Sequence, residues 1–219
     1  MPKFKSNIAN PGEMQLACAV LVDTSSSMDP VLSELRKGLV ALGDSLSDEA
    51  RGKVEIEIIT FDDDARVLVP FGPAYEYEVP EITCTGMTAM HAAVDLALKE
   101  LRARKDEYHA LGTPYYRPWV FLLTDGGAND PDNGAFTRLL EEQRNKGCTF
   151  FPVAIGDADK RTLGEMQKDG IVLTASKENF ANAFVWLSNS LSITSVSDST
   201  ALKVDLPRPG DYQLSVEPV

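Results

Sequence analysis

Oxygen-bearing side chains concentrate in three short segments of the sequence. Asp23-Thr24-Ser25-Ser26-Ser27 follows a continuous apolar run, Gly86-Met87-Thr88 precedes a helical pattern, and Asp125-Gly126-Gly127 follows a second apolar run. Asp23, Ser25 and Ser27 alternate, so in a tight turn leaving a strand their side chains converge while the residues between them turn outward. With Thr88 and Asp125 they offer carboxylates and hydroxyls, hard oxygen donors that suit Mg²⁺, Mn²⁺ or Ca²⁺ and not a metal that prefers sulfur or imidazole. Two carboxylates leave a doubly charged ion roughly neutral, and hydroxyls add no charge. Such an ion stays electrophilic, with a position open to a carboxylate from another molecule. The plainer use of Asp23 and its serines is a helix-capping turn, since both residue types are common before helices. Thr88 and Asp125 in addition favour the ion.

These segments need elements that bring them together. Residues 16–22 are apolar throughout, the pattern of a strand covered on both faces in a parallel sheet. A helix follows, with Asp29 as cap, Pro30 at the first helical position and Leu32, Leu35, Leu39, Leu42 and Leu46 on one side. Residues 54–61 and 66–69 read as a hairpin around Asp62-Asp63-Asp64. Met90, Val94, Ala97 and Leu101 form a helical stripe over 89–101, and 119–124 is again a buried strand. A helix with Phe136, Leu139 and Leu140 ends where Gly147 can supply a left-handed turn. A strand at 149–155, a short helix near 161–167, a strand at 171–174 and a helix carrying Phe180, Phe184, Leu187 and Leu191 complete the alternation. This order predicts an α/β fold with helices on both faces of an open, mostly parallel sheet carrying one antiparallel edge strand. In such sheets ligands sit outside the carboxyl ends of the strands, where Asp23 and Asp125 fall. The expected division is a lead-in over 1–14, the domain over 15–191 and a C-terminal extension over 192–219, opened by the serine-rich stretch 192–199.

Composition narrows the function. The 219 residues are 43% apolar and 25% charged, as in a globular domain, and 33 acidic against 21 basic residues give a net charge of -12. That sign disfavours nucleic acid and anionic membranes as partners and suits cations. No run approaches the roughly 20 apolar residues that span a bilayer. Lys3 and Lys5 precede the first apolar run, but Ala17-Cys18-Ala19 lies inside that run and does not form a signal-peptide cleavage site. Cys18, Cys84 and Cys148 have no paired spacing, so a reducing cytoplasm is the expected location.

The three-part pattern Asp-x-Ser-x-Ser, the Thr88 turn and Asp125-Gly126, in that order, resembles the metal-ion-dependent adhesion site of von Willebrand factor A domains. The resemblance implies a Rossmann-like fold and a metal held through the hydroxyls of Ser25, Ser27 and Thr88 and, directly or through water, by Asp23 and Asp125. Residues 115–126, 150–156 and 186–188 are similar to the bacterial TerY-type proteins of tellurite-resistance and stress operons, over roughly 18–197. That implies a cytoplasmic module docking onto protein partners, with kinase-like and phosphatase-like associates. Ser26 stands where the family often has glycine, which would strain the turn only if φ there were positive.

Other residues are weighed against plainer roles. Asp62-Asp63-Asp64 is a second cation site or, more simply, a solvated turn. Cys84 is a redox-sensitive thiol or a buried inert one. His91 borders the metal face, without a role expected of it, and Tyr115 and Arg117 anchor the approach to the fourth strand. An enzyme using the same ion for phosphoryl transfer or hydrolysis is the alternative function. Against it, Ser25 stands where a phosphatase nucleophile Asp23 would need a second carboxylate, and Gly-x-Ser-x-Gly, Gly-x-x-x-x-Gly-Lys and Gly-x-Gly-x-x-Gly segments are lacking at the expected places.

Overall fold

The computed structural model describes residues 8, 10–79, 81–197, 206–208, 212 and 214–218. Lys3, Lys5 and Ser199 lie outside the described residues. In chain order the elements are β1 (Leu16–Asp23), α1 (Leu32–Asp44), α2 (Asp48–Arg51), β2 (Val54–Phe61), β3 (Ala65–Pro73), α3 (Met90–Leu111), β4 (Trp119–Thr124), α4 (Ala135–Arg144), β5 (Thr149–Ile155), α5 (Lys160–Glu165), β6 (Ile171–Ala175), α6 (Ala181–Ser195) and β7 (Ser215–Pro218). The strands form one sheet in the order β3-β2-β1-β4-β5-β6-β7.

Every residue of β1, β2 and β4 is buried. Side chains alternate between two cores, as the pleat requires. Cys18, Val20 and Val22 pack with Leu35, Leu39 and Leu42 of α1 and Phe184, Leu187 and Leu191 of α6. Ala17, Ala19 and Leu21 pack on the other face with Met90, Val94 and Leu101 of α3, Leu139 of α4 and Leu163 of α5. β1 pairs in parallel with β2 on one side and β4 on the other. The chain thus leaves β1 toward one edge and enters β4 toward the other, and the crevice of an open α/β sheet opens between their carboxyl ends.

The expected antiparallel edge strand is β3, paired with β2. A second antiparallel strand, β7, closes the opposite edge on β6 and comes from the segment expected as an extension. Its four residues carry too little pattern to mark a strand in the sequence. Asp29 does not cap α1. A 3-10 turn over Ser26–Val31 holds Pro30 inside it, and α1 starts at Leu32. The chain already tightens upstream, where the Met28 amide donates to the Ser25 carbonyl at 3.0 Å. After α4 the left-handed residue is Lys146, with φ of 60°, and not Gly147. Gly147 instead donates its amide to the Glu142 carbonyl at 2.7 Å, where an added β-carbon would come within 1.9 Å of the Glu142 carboxylate.

Candidate metal site at the ends of β1 and β4

Asp23, the last residue of β1, is fully buried. One carboxylate oxygen accepts from the Ser25 amide at 2.8 Å, and the other accepts from the Thr124 hydroxyl at the end of β4. The Ser25 and Ser27 hydroxyls lie 3.0 Å apart, and Ser27 donates to Asp125 Oδ1 at 2.6 Å. A continuous polar chain therefore joins the two strand ends. Burial raises the Asp23 carboxyl above its usual range; hydrogen bonds from Ser25 and Thr124 oppose the rise, and the nearby Asp125 charge adds to it. The Asp125 side chain is only 1% exposed, and its cationic partner is Lys177, whose ammonium reaches Asp125 Oδ2 at 3.3 Å from the loop between β6 and α6.

Thr88 is placed by backbone bonds from several segments. The Thr85 amide donates to the Thr24 carbonyl at 2.8 Å, the Ser26 amide to the Gly86 carbonyl at 3.1 Å, the Ala89 amide to the Asp62 carbonyl at 2.8 Å and the Asn129 amide to the Thr88 carbonyl at 3.0 Å. The Thr88 hydroxyl faces the turn after Asp125, 3.6 Å from where a β-carbon on Gly126 would stand. Ser26 is not among the residues with positive φ, so serine in place of glycine is unstrained there.

The structure thus brings Asp23, Ser25, Ser27, Thr88 and Asp125 to one rim. The donor set fits a hard divalent ion: buried carboxylates of like sign face each other across hydroxyls, and an ammonium already stands in as counter-charge. Among the described residues no group of three or more His, Cys, Asp or Glu side chains could hold an ion. An ion at this rim therefore depends on the hydroxyls.

The other candidates have different occupations. Asp62 pairs with Arg66 at 2.7 Å, Asp64 accepts from the Ala65 amide at 2.8 Å, and Asp63 accepts from the Met87 amide at 3.0 Å. This is a bonded turn, one of whose carboxylates holds the Thr88 segment. Burial, with Asp29 and Asp23 nearby, pushes the Cys84 thiol up to about 11, which suits the inert reading. His91 bonds Asp130 through its amide and Nδ1, each at 3.1 Å, and stacks on Phe136. Tyr115 bonds His109 at 3.0 Å, so both histidines have partners away from Ser25 and Ser27. Three contributors escaped sequence reasoning: Asp63, Lys177, and Asp130, which accepts from the amides of His91 and Ala92 at the start of α3. Asp63 entered the sequence reading only within the acidic turn Asp62-Asp63-Asp64, and Lys177 gave no signal.

The profile of the von Willebrand factor type A domain matches residues 19–188. The chain belongs to that family. Solved structures of the same fold include a von Willebrand factor type A protein from Catenulispora acidiphila, at TM-score 0.64 and 16% identity over 82% of this chain and 43% of that one. The type V pili tip protein Mfa5 from Porphyromonas gingivalis superposes its vWF domain at TM-score 0.62 and 11% identity, covering 85% and 98%. Proximal thread matrix protein 1 from the mussel byssus, with a zinc-occupied MIDAS motif, matches at TM-score 0.55 and 18% identity, covering 83% and 47%. Among curated proteins none matches. The chain spans less than half the length of the Catenulispora and mussel proteins. No described helix of this von Willebrand factor A domain is long and apolar enough to cross a membrane.

Proposed function

We propose that this von Willebrand factor A domain is a divalent-metal-dependent protein-interaction module in which Asp23, Ser25, Ser27, Thr88 and Asp125 hold Mg²⁺, with Mn²⁺ or Ca²⁺ as substitutes. The observation that carries the reading is the pair of buried carboxylates at the β1/β4 crevice, linked through Ser25 and Ser27. When bound, the ion supplies an electrophilic position that accepts a carboxylate oxygen from a partner protein. The chain's own residues set the site: Thr124 orients Asp23, Asp63 holds the Thr88 turn, and the 56%-exposed side chain of Met87 offers apolar contact beside it. The zinc-occupied site of the mussel protein and the family's general use as interaction modules support it.

The resemblance to TerY-type proteins supports a finer placement. We infer a cytoplasmic role in a bacterial tellurite-resistance or stress-response system, with a kinase-like or phosphatase-like partner supplying the carboxylate. Residues 15–191 would carry the docking function.

Calorimetric titration of Mg²⁺ into the wild type and Asp23→Ala tests the site. Binding in the wild type that weakens by about a hundredfold or more in the variant is expected, since a charged ligand oxygen is lost. Equal binding in both would overturn the assignment.

A further inference from the structure

The opposite end of the sheet holds a second polar site. β5 pairs with β4 along its length, from Trp119↔Thr149 to Thr124↔Ala154, but with β6 only from Val153↔Leu173 to Ile155↔Ala175. The ladder begins directly after Pro152, which has no amide hydrogen to give. Below it the starts of β5 and β6 stay apart, and the slot between them opens into a cavity of about 180 Å³ lined by Arg117, Thr149, Phe151, Lys168 and Leu173 among others. A cavity of about 150 Å³ already accepts a benzene ring.

Its polar lining is unevenly satisfied. Gln143 donates to the carbonyls of Leu139 and Met166 and accepts from the Lys168 amide, so its amide is committed. Lys168 and Asp169, at the mouth, lie 3.5 Å apart and cancel in charge. Arg117 Nε and the Thr149 hydroxyl are buried and have no hydrogen-bond partner among the described residues. Among the described residues no carboxylate pairs with Arg117, although the chain carries a twelve-charge acidic excess. A buried donor of this kind is costly to leave unmade, and a guanidinium edge matches a carboxylate. The surplus at the cavity is one positive charge, beside apolar walls from Phe151 and Leu173.

We propose that this slot binds a small monocarboxylate with a flat apolar body of about benzoate size, its carboxylate on Arg117 Nε and the Thr149 hydroxyl and its ring against Phe151 and Leu173. The site is independent of the rim at the other end of β1 and β4.

Calorimetry with benzoate as probe tests it, run on the full chain in excess chelator so that a carboxylate cannot report on an ion at the rim. Benzoate is expected to bind with a Kd of roughly 0.1–1 mM. Uncharged benzamide should bind at least about tenfold more weakly, and Arg117→Gln should weaken benzoate by a similar factor. Asp23→Ala should leave benzoate binding unchanged. Absence of benzoate binding up to about 10 mM, equal affinity for benzamide, or benzoate binding that disappears on chelation would each overturn the proposal. The benzoate and benzamide comparison needs no variant, so it decides the matter even if Arg117→Gln does not fold.

Discussion

Buried acids sit at two places on the same sheet and meet different fates. Beneath α3, Glu55 is fully buried and is gripped by Arg104, through Nε at 2.8 Å and Nη2 at 2.8 Å, with the Tyr108 hydroxyl donating to the same carboxylate. Arg104 is itself only 4% exposed and bonds Glu107 at 2.6 Å. At the rim, Asp23 and Asp125 face hydroxyls and one lysine whose side chain is 45% exposed. The first acid has a counter-charge that cannot leave; the second pair has one that can. A buried charge whose partner is fixed serves the fold, whereas buried charges with an exchangeable partner are available to something from outside.

The contrast is broken most strongly by removing the fixed partner. Arg104→Met should lower unfolding free energy by about 3–5 kcal/mol in denaturant titrations, because Glu55 is left buried and uncompensated. Asp125→Asn, at the rim, should instead leave metal-free stability unchanged or raise it by up to about 1 kcal/mol, since it removes repulsion from Asp23. If both variants lose stability equally, the distinction fails.

Glu57 sharpens the comparison, because it shares the α3 face with Glu55 but has its carboxyl pushed up to about 8, first by burial and then by Glu100. Its folded pKa lies above the ordinary 4.5, so the folded state holds the proton more tightly than the unfolded one. Stability from this group is therefore full at low pH and falls as pH rises from about 4.5 to about 8. Glu57→Gln, which mimics the protonated acid, should match the wild type near pH 4 and exceed it by on the order of 2 kcal/mol above pH 8. A difference that does not grow with pH would contradict this.

The smallest effect belongs to the exchangeable partner. Lys177→Met should tighten Mg²⁺ binding by roughly threefold to tenfold, with stability within about 0.5 kcal/mol of wild type. The gain should shrink as salt screens the ammonium of the wild type. Unchanged affinity would remove Lys177 from the account of the rim.

Much of this was legible in the sequence where one residue type repeats. The apolar runs ending at Asp23 and Thr124 marked β1 and β4, and the polar segments after them marked the rim. The stripe that defined α3 stopped at Leu101 because the next buried positions on that helix are Arg104 and Tyr108, which do not read as core. The helix runs on to Leu111 around a paired charge that only the fold reveals. Lys177 lies 52 residues from Asp125, and Asp63 lies 24 from Met87, so no local pattern announces either contact. The slot beside Pro152 escaped notice for a related reason: a proline inside a strand announces a gap only once its neighbour is known.

The bond from Asp63 to Met87 has one more consequence. Gly86 sits at φ of 70°, and a β-carbon there would come within 2.7 Å of the Asp63 carboxylate. The β2–β3 hairpin is thereby braced against the loop that presents Thr88. The disorder of that loop is surrendered once, during folding, and not again at each encounter with a partner. For the docking proposed above, an outer hairpin that need not touch the partner would thus lower the ordering cost of each encounter.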